Sequence, residues 1–170
     1  MEELANFDTL LPHTNHTKNN KPMFNIQTYF DAVEKVITEL GVDPKVCRAQ
    51  NPGQWNMTLG SANVWIDVFQ NKDQNGALLE SGYLQIMAPI MNIPDSRKEE
   101  LFHELLVINH KLYGVGFTVF ENGVYIKSIR ELEGLDHSEI KNTFNRIGVY
   151  ADDYDDVLKA KYWPATGGRG

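Results

Sequence analysis

Residues 99–132 read EELFHELLVINHKLYGVGFTVFENGVYIKSIREL, and inside that stretch the apolar period changes from that of a helix to that of a strand. Leu101, Leu105, Ile108 and Leu112 recur at offsets of four, three and four, which makes one stripe on a 3.6-residue period. A helix patterned in this way is built to cover something. Beyond Gly114 and Gly116 the period drops to about two, with Phe117, Val119, Val124 and Ile126 as the apolar positions on either side of Glu121-Asn122-Gly123. Asn122-Gly123 supplies the positive φ angles of a tight hairpin turn, so these two residues are assigned a structural role. The stretch is a helix, a glycine break and a β-hairpin, and it directs the chain toward a sheet carrying helices. It names no reaction.

The remaining segments fill in that sheet. Residues 1–22 are rich in Asn, Thr, His and Lys and keep no sustained period apart from Phe7, Leu10 and Leu11, which is the pattern of a flexible N-terminal arm. Ile26, Tyr29, Phe30, Val33, Val36, Ile37 and Leu40 then follow at helical spacing, with Gly41 where a C-terminal cap belongs. Pro44, Pro52 and Gly53 punctuate a connection, after which Trp55, Met57 and Leu59 alternate with polar residues as a strand does. After the Gly60-Ser61 turn, Val64, Ile66 and Val68 fall on one face of a second strand and Trp65, Asp67 and Phe69 on the other. In a third strand Tyr83, Gln85 and Met87 alternate with Leu84, Ile86 and Ala88, and Pro89 is expected to end its central pairing.

Asp95 or Ser96 is placed to cap the second helix, with Glu99 at capping-box distance from Ser96. Asp136 with Glu139 repeats that pattern before a third helix marked by Ile140, Phe144, Ile147, Ala151, Tyr154 and Leu158. Residues 163–170 look like a flexible tail. The order α-β-β-β-α-β-β-α defines an α+β class, with a five-stranded, mainly antiparallel sheet packed by helices in a single domain over residues 23–162.

Composition narrows the class of function. With 170 residues, 42% of them hydrophobic, one domain can bury a working core without metals or disulfides. A formal charge of −7, from 16 Lys and Arg against 23 Asp and Glu, opposes non-specific attraction to phosphate backbones and anionic lipid. Neither nucleic acid nor a membrane is therefore expected as a partner. The one cysteine, Cys47, cannot close an intrachain disulfide, and Met1-Glu2-Glu3 does not begin a secretory signal, so a cytoplasmic location is expected.

Several local sequences carry a resemblance: Val64-Trp65-Ile66-Asp67-Val68, the Ala88-Pro89-Ile90 exit, Leu105-Leu106-Val107-Ile108-Asn109 with the hairpin after it, and Ala151-Asp152-Asp153-Tyr154-Asp155-Asp156-Val157-Leu158. Together with the element order they resemble the YbjN-like family of bacterial proteins, placed in the fold of the type III secretion chaperones. The resemblance spans about Met23 to Tyr162, and its motifs are structural. It implies a regulatory or chaperone-like role and, since the secretion chaperones work as dimers, a homodimer.

The surplus apolar bulk on a second sheet face, Trp65, Phe69, Tyr83 and Met87, is the first candidate site. A sheet with helices on one side needs only one apolar face. The other face calls for intramolecular helices, a second copy of the chain, or a segment of another protein. Asp152, Asp153, Asp155 and Asp156 crowd one section of the third helix, which reads either as a solvated acidic face or as a recognition patch for a basic segment. Asn109 stands beside the apolar stripe, and its amide is expected to bond backbone at the helix end or at the entry to the next strand.

His103-Glu104-Leu105-Leu106-Val107 lacks the second histidine of the zinc-protease motif, and His110 is ~10 Å along the axis from His103. The loop Asn71-Lys72-Asp73-Gln74-Asn75-Gly76 resembles the front of a calcium loop, but Gly82 stands where its twelfth-position Glu belongs. No metal or cofactor is expected. The reading that follows is a non-enzymatic protein-interaction module, chaperone-like or regulatory, binding a segment of another protein as a homodimer. Its rivals are a small hydrolase with a site near His103, Glu104 and His110, or a small-ligand-binding domain on the tryptophan-bearing face.

Overall fold

In the computed structural model, which describes residues 24–163, helix α1 (Ile26–Glu39) begins where the Asn25 side chain accepts the Gln27 N–H at 3.0 Å. Its Val33, Val36 and Ile37 are buried, and the chain leaves it through Gly41 at φ 84°. Asp43 caps a single further turn, α2 (Pro44–Cys47), whose Pro44 starts the helix at no cost because its missing N–H would have had no partner there. This turn lies in what the sequence reads only as a connection.

Three strands follow as a meander, β1 (Gln54–Leu59), β2 (Ala62–Lys72) and β3 (Leu78–Asn92). Helix α3 (Lys98–Asn109) then leads to the hairpin of β4 (Gly116–Phe120) and β5 (Gly123–Glu131), and α4 (His137–Tyr162) closes the fold. The strands form one sheet in the order β1-β2-β3-β5-β4, with every neighbouring pair antiparallel. The fold is α+β.

The core lies on one face of this sheet. Val64, Ile66 and Val68 of β2, Leu84, Ile86 and Ala88 of β3, and Val124 and Ile126 of β5 are buried together with Val33, Val36 and Ile37 of α1 and Ile140, Phe144, Ile147, Ala151 and Leu158 of α4. Each large side chain sealed in this way contributes ~1.5–3 kcal/mol relative to exposure. α4 lies across β2, β3 and β5, and α1 packs on β2 and on α4. Asp136 starts α4 with a full capping box, its carboxylate accepting the Glu139 N–H at 2.8 Å while Glu139 accepts the Asp136 N–H at 3.2 Å.

Pro89 stands beyond the two-sided pairing of β3, as expected: the β2 pairing ends at Trp65↔Met87, and the strand continues to Asn92 on β5 alone, with Pro89 opposite Tyr125 and a register shift between Pro89 and Met91. A proline is tolerated where pairing is one-sided and next to a bulge. Two local expectations are corrected. Neither Asp95 nor Ser96 caps α3: Arg97 is its N-cap, in the left-handed region at φ 61°, without a side-chain cap bond. Its guanidinium instead bonds Glu100 twice, at 2.6 and 2.8 Å, and donates to the Lys161 carbonyl at 2.9 Å. That ties the start of α3 to the end of α4.

In the β4–β5 turn the positive φ falls on Glu121, at 49°, and not on Asn122-Gly123. Gly123 leaves room for the Tyr125 ring, from which a Cβ there would stand 2.6 Å. Asn122 contributes its carbonyl, which accepts the Ile93 N–H at 2.8 Å. The arm over residues 1–22 and the tail over 163–170 lie outside the described residues, except for Trp163, which is exposed.

Candidate functional site: the open face of the sheet

Alternation along each strand sends every second side chain away from α1 and α4, and the register assembles those side chains into rows. Asn56, Trp65, Met87 and Lys127 stand in one row across β1, β2, β3 and β5. Gln54, Asp67, Gln85 and Ile129 form the next, and Phe69, Tyr83 and Glu131 the one after. No described helix covers them. Trp65 keeps 36% of its surface exposed and Phe69 39%, while Tyr83, Met87 and Tyr125 are half-buried.

The aromatic side chains pair at the two ends of this face. Trp65 lies against Tyr125 with ring centroids 5.8 Å apart, and Phe69 against Tyr83 at 5.7 Å. Between the pairs the Asp67 carboxylate accepts Gln54 Nε2 at 2.7 Å and Gln85 Nε2 at 3.2 Å. The surface is therefore two apolar stations with a carboxylate held between them. The parity of β2 and β3 places Trp65, Phe69, Tyr83, Gln85 and Met87 on one face; Tyr125, Gln54 and Ile129 join them only through cross-strand register.

A second apolar surface lies at the β4 end. α3 buries Leu101 and Leu105, whereas Phe102, Val107 and especially Leu106, 69% exposed, face outward, as do Tyr113, Val119 and Phe120. The signal in the sequence is that Phe102, Leu106 and Val107 are apolar off the Leu101–Leu112 stripe. Asn109 closes part of the β4 edge: its Oδ1 accepts the Phe117 N–H at 2.6 Å and its Nδ2 donates to the Phe117 carbonyl at 3.2 Å. The side-chain amide stands where a neighbouring strand would otherwise pair.

The other candidates are scattered. His103 and His110 are exposed on α3 and at its end, while the Glu104 carboxylate accepts Lys161 Nζ at 2.7 Å and the Tyr162 hydroxyl. Burial pushes that carboxyl up, but the bonds from Lys161 and Tyr162 outweigh it and hold Glu104 below the ordinary glutamate range. Of the acidic residues on α4, Asp152 accepts the Ser61 hydroxyl at the β1–β2 turn and Asp155 pairs with Lys159 at 2.6 Å, while Asp153 and Asp156 are exposed. Asp73 accepts the backbone N–H groups of Asn75 and Ala77, an ordinary loop arrangement. Among the described residues no group of three or more His, Cys, Asp or Glu is placed to hold a metal, and no helix is long and apolar enough to cross a membrane.

This architecture is shared with secretion chaperones of known structure. A chain of the ExsC–ExsE complex superposes with a TM-score of 0.57 at 10% identity, covering 80% of this chain and 97% of that one. A chain of the HopA1–SchA chaperone–effector complex gives 0.54 at 13% identity, covering 77% and 95%. A chain of the complex between the Yersinia pestis type III secretion chaperone SycH and a stable fragment of YscM2 gives 0.52 at 14%, covering 74% and 98%. The protein thus has the secretion-chaperone fold. Residues 29–160 match the YbjN family, described as "Putative bacterial sensory transduction regulator", and the chain belongs to that family. No curated protein matches the sequence.

Proposed function

We propose that the protein is a non-enzymatic protein-binding module of chaperone-like or regulatory role, which holds a segment of another protein on the open face of its sheet. The observation that carries this reading is the uncovered group of Trp65, Phe69, Tyr83 and Met87 on a sheet whose core helices lie on the other side. Apolar side chains of this size gathered at one surface mark a place for a partner. The neighbours named as chaperones in complex with protein partners support the same reading.

The module works as a homodimer in the cytoplasm. The α3–β4 surface, with Phe102, Leu106, Val107 and Val119 exposed, is where two copies meet, which leaves the sheet face free for the partner. The hydrolase reading has little to stand on, because the Glu104 carboxylate is engaged by Lys161 and Tyr162.

The test joins mass and capture. One chain is 19.4 kDa, and light scattering coupled to size exclusion is expected to give twice that for the wild type and a monomer for Leu106→Asp. Trp65→Asp and Phe69→Asp should stay dimeric and folded but lose the partner that the wild type retains from the native host. Full capture by both folded variants would remove the sheet face from the function, and a monomeric wild type would remove the dimer.

A further inference from the structure

The open face holds a carboxylate at its centre, and no described cation answers it. Asp67 sits between Trp65 and Phe69 on β2, and its bonds come from the amide groups of Gln54 and Gln85. Gln54 is itself oriented by Asn51, whose Nδ2 donates to Gln54 Oε1 at 3.0 Å, so the Gln54 amide is turned with its N–H toward Asp67. None of the ion pairs among the described residues includes Asp67. The other charged side chains on the face, Lys127 and Glu131, stand in the neighbouring rows opposite Met87 and Tyr83.

A partner that covers Trp65 and Phe69 also covers Asp67. Stripping water from a carboxylate is costly unless the partner brings a cation and donors to it. The chain's charge of −7 favours the approach of a basic segment to this face. Spacing then restricts what the segment is. Trp65 and Phe69 are four residues apart on one strand, ~13 Å. On a helix, eight residues rise ~12 Å, and positions i, i+4 and i+8 stay within about 80° of arc.

We propose that the occupant, within the protein-binding reading above, is an amphipathic helix of another protein carrying one arginine midway between two large apolar side chains. Its guanidinium sits on Asp67, and the apolar side chains sit on the Trp65–Tyr125 and Phe69–Tyr83 pairs. The sheet face offers side chains and no free backbone groups, so an occupant that satisfies its own backbone fits it, as α4 does on the opposite face. Arginine suits the position better than lysine because its planar fork reaches both carboxylate oxygens while its faces lie against the flanking rings.

The test is a displayed library of 20-residue helices with randomised surface positions, selected separately against the full-length wild type and against Asp67→Asn, each checked for an intact thermal transition. Wild-type clones are expected to carry large apolar residues seven or eight positions apart with arginine, less often lysine, between them. Selection on Asp67→Asn should keep the apolar pair and lose the basic preference. A synthesised clone should bind Asp67→Asn at least about tenfold more weakly than wild type. Replacing its arginine by norleucine should cost as much on wild type and little on Asp67→Asn.

Apolar pairs with no basic centre would overturn the arginine assignment and leave the face as a docking site. Clones that bind Trp65→Asp and Phe69→Asp undiminished, or a library that yields no clone, would overturn the docking reading along with it.

Discussion

The two faces of the sheet are made by the same strands, residue by residue, and they reach opposite conditions. Toward α1 and α4 the side chains of the three inner strands are aliphatic and sealed, with Trp55 and Met57 of β1 buried beside them: Val64, Ile66, Leu84, Ile86, Val124 and Ile126 are all but inaccessible. On the other face the bulk is carried by Trp65, Phe69, Tyr83, Tyr125 and Met87, interleaved with Asp67, Gln54 and Gln85. Aromatic rings and thioethers bring large contact area, and those with polar atoms accept partial hydration. Apolar bulk by itself therefore does not say that a face is core. On β2, β3 and β5 what separates the two is whether the bulk is aliphatic and packed by the chain's own helices, or aromatic and interleaved with oriented polar groups.

That contrast can be broken with two neighbouring residues of β3. Ile86→Ala should lower the unfolding free energy by ~2–5 kcal/mol through lost burial and a cavity under α4. Met87→Ala, on the next residue and the opposite face, should cost under ~1 kcal/mol. Equal losses in urea titration would mean that the open face is as closed as the covered one. The sheet's edge comes next in size. Asn109→Leu strips the Phe117 N–H and carbonyl of their partners, for a loss of ~1–3 kcal/mol. An unchanged or raised melting temperature would show that β4 needs no such guard.

The acid side of the stability profile separates the faces in a third way. On the helix-bearing side of β1, Arg48 donates Nε and Nη2 to Glu34 at 2.7 Å each, and this holds the Glu34 carboxyl low against the opposing effect of burial, with help from the Trp55 indole N–H. Because the folded-state value is depressed, the stabilisation is complete above the ordinary glutamate value of ~4.3 and is lost as the pH falls through the lower folded value. Glu34→Gln should therefore be less stable than wild type at neutral pH, with the difference closing at low pH. A difference independent of pH would assign the residue's effect to packing of Phe30 and Trp55 alone.

Much of this was legible in the chain itself, for identifiable reasons. Period-two alternation in Val64–Phe69 and Tyr83–Ala88 is a local property, and it assigns each side chain to a face without knowledge of the partner strand. The capping box of Asp136 and Glu139 is local in the same sense. What escaped depends on distant neighbours. Tyr125 joins Trp65 only because β5 lies beside β3, and Pro89 stays in its strand where the pairing with β2 has already ended. Arg97 replaces Asp95 or Ser96 at the start of α3 because its guanidinium has partners on α4, 64 residues further along the chain. Nor does alternation say which face the helices choose, since that is set by where α1 and α4 land.

Gly123 is where the smallest change sharpens the contrast most. Its φ is not in the left-handed region, so alanine is acceptable to the backbone, but the added Cβ would stand 2.6 Å from the Tyr125 ring. The ring is the free end of a side chain and can swing aside, so Gly123→Ala should change the unfolding free energy by less than ~1 kcal/mol. The displaced ring is the one that lies 5.8 Å from Trp65, on the open face, whereas Trp55 is buried on the covered face with its indole N–H on Glu34. In nitrogen-labelled protein the indole resonance of Trp65 should therefore move while that of Trp55 stays in place. If both moved, the two faces would not be independent. If neither did, the Tyr125 ring would not rest between Gly123 and Trp65, and the apolar station at that end of the face would consist of Trp65 and Met87 alone.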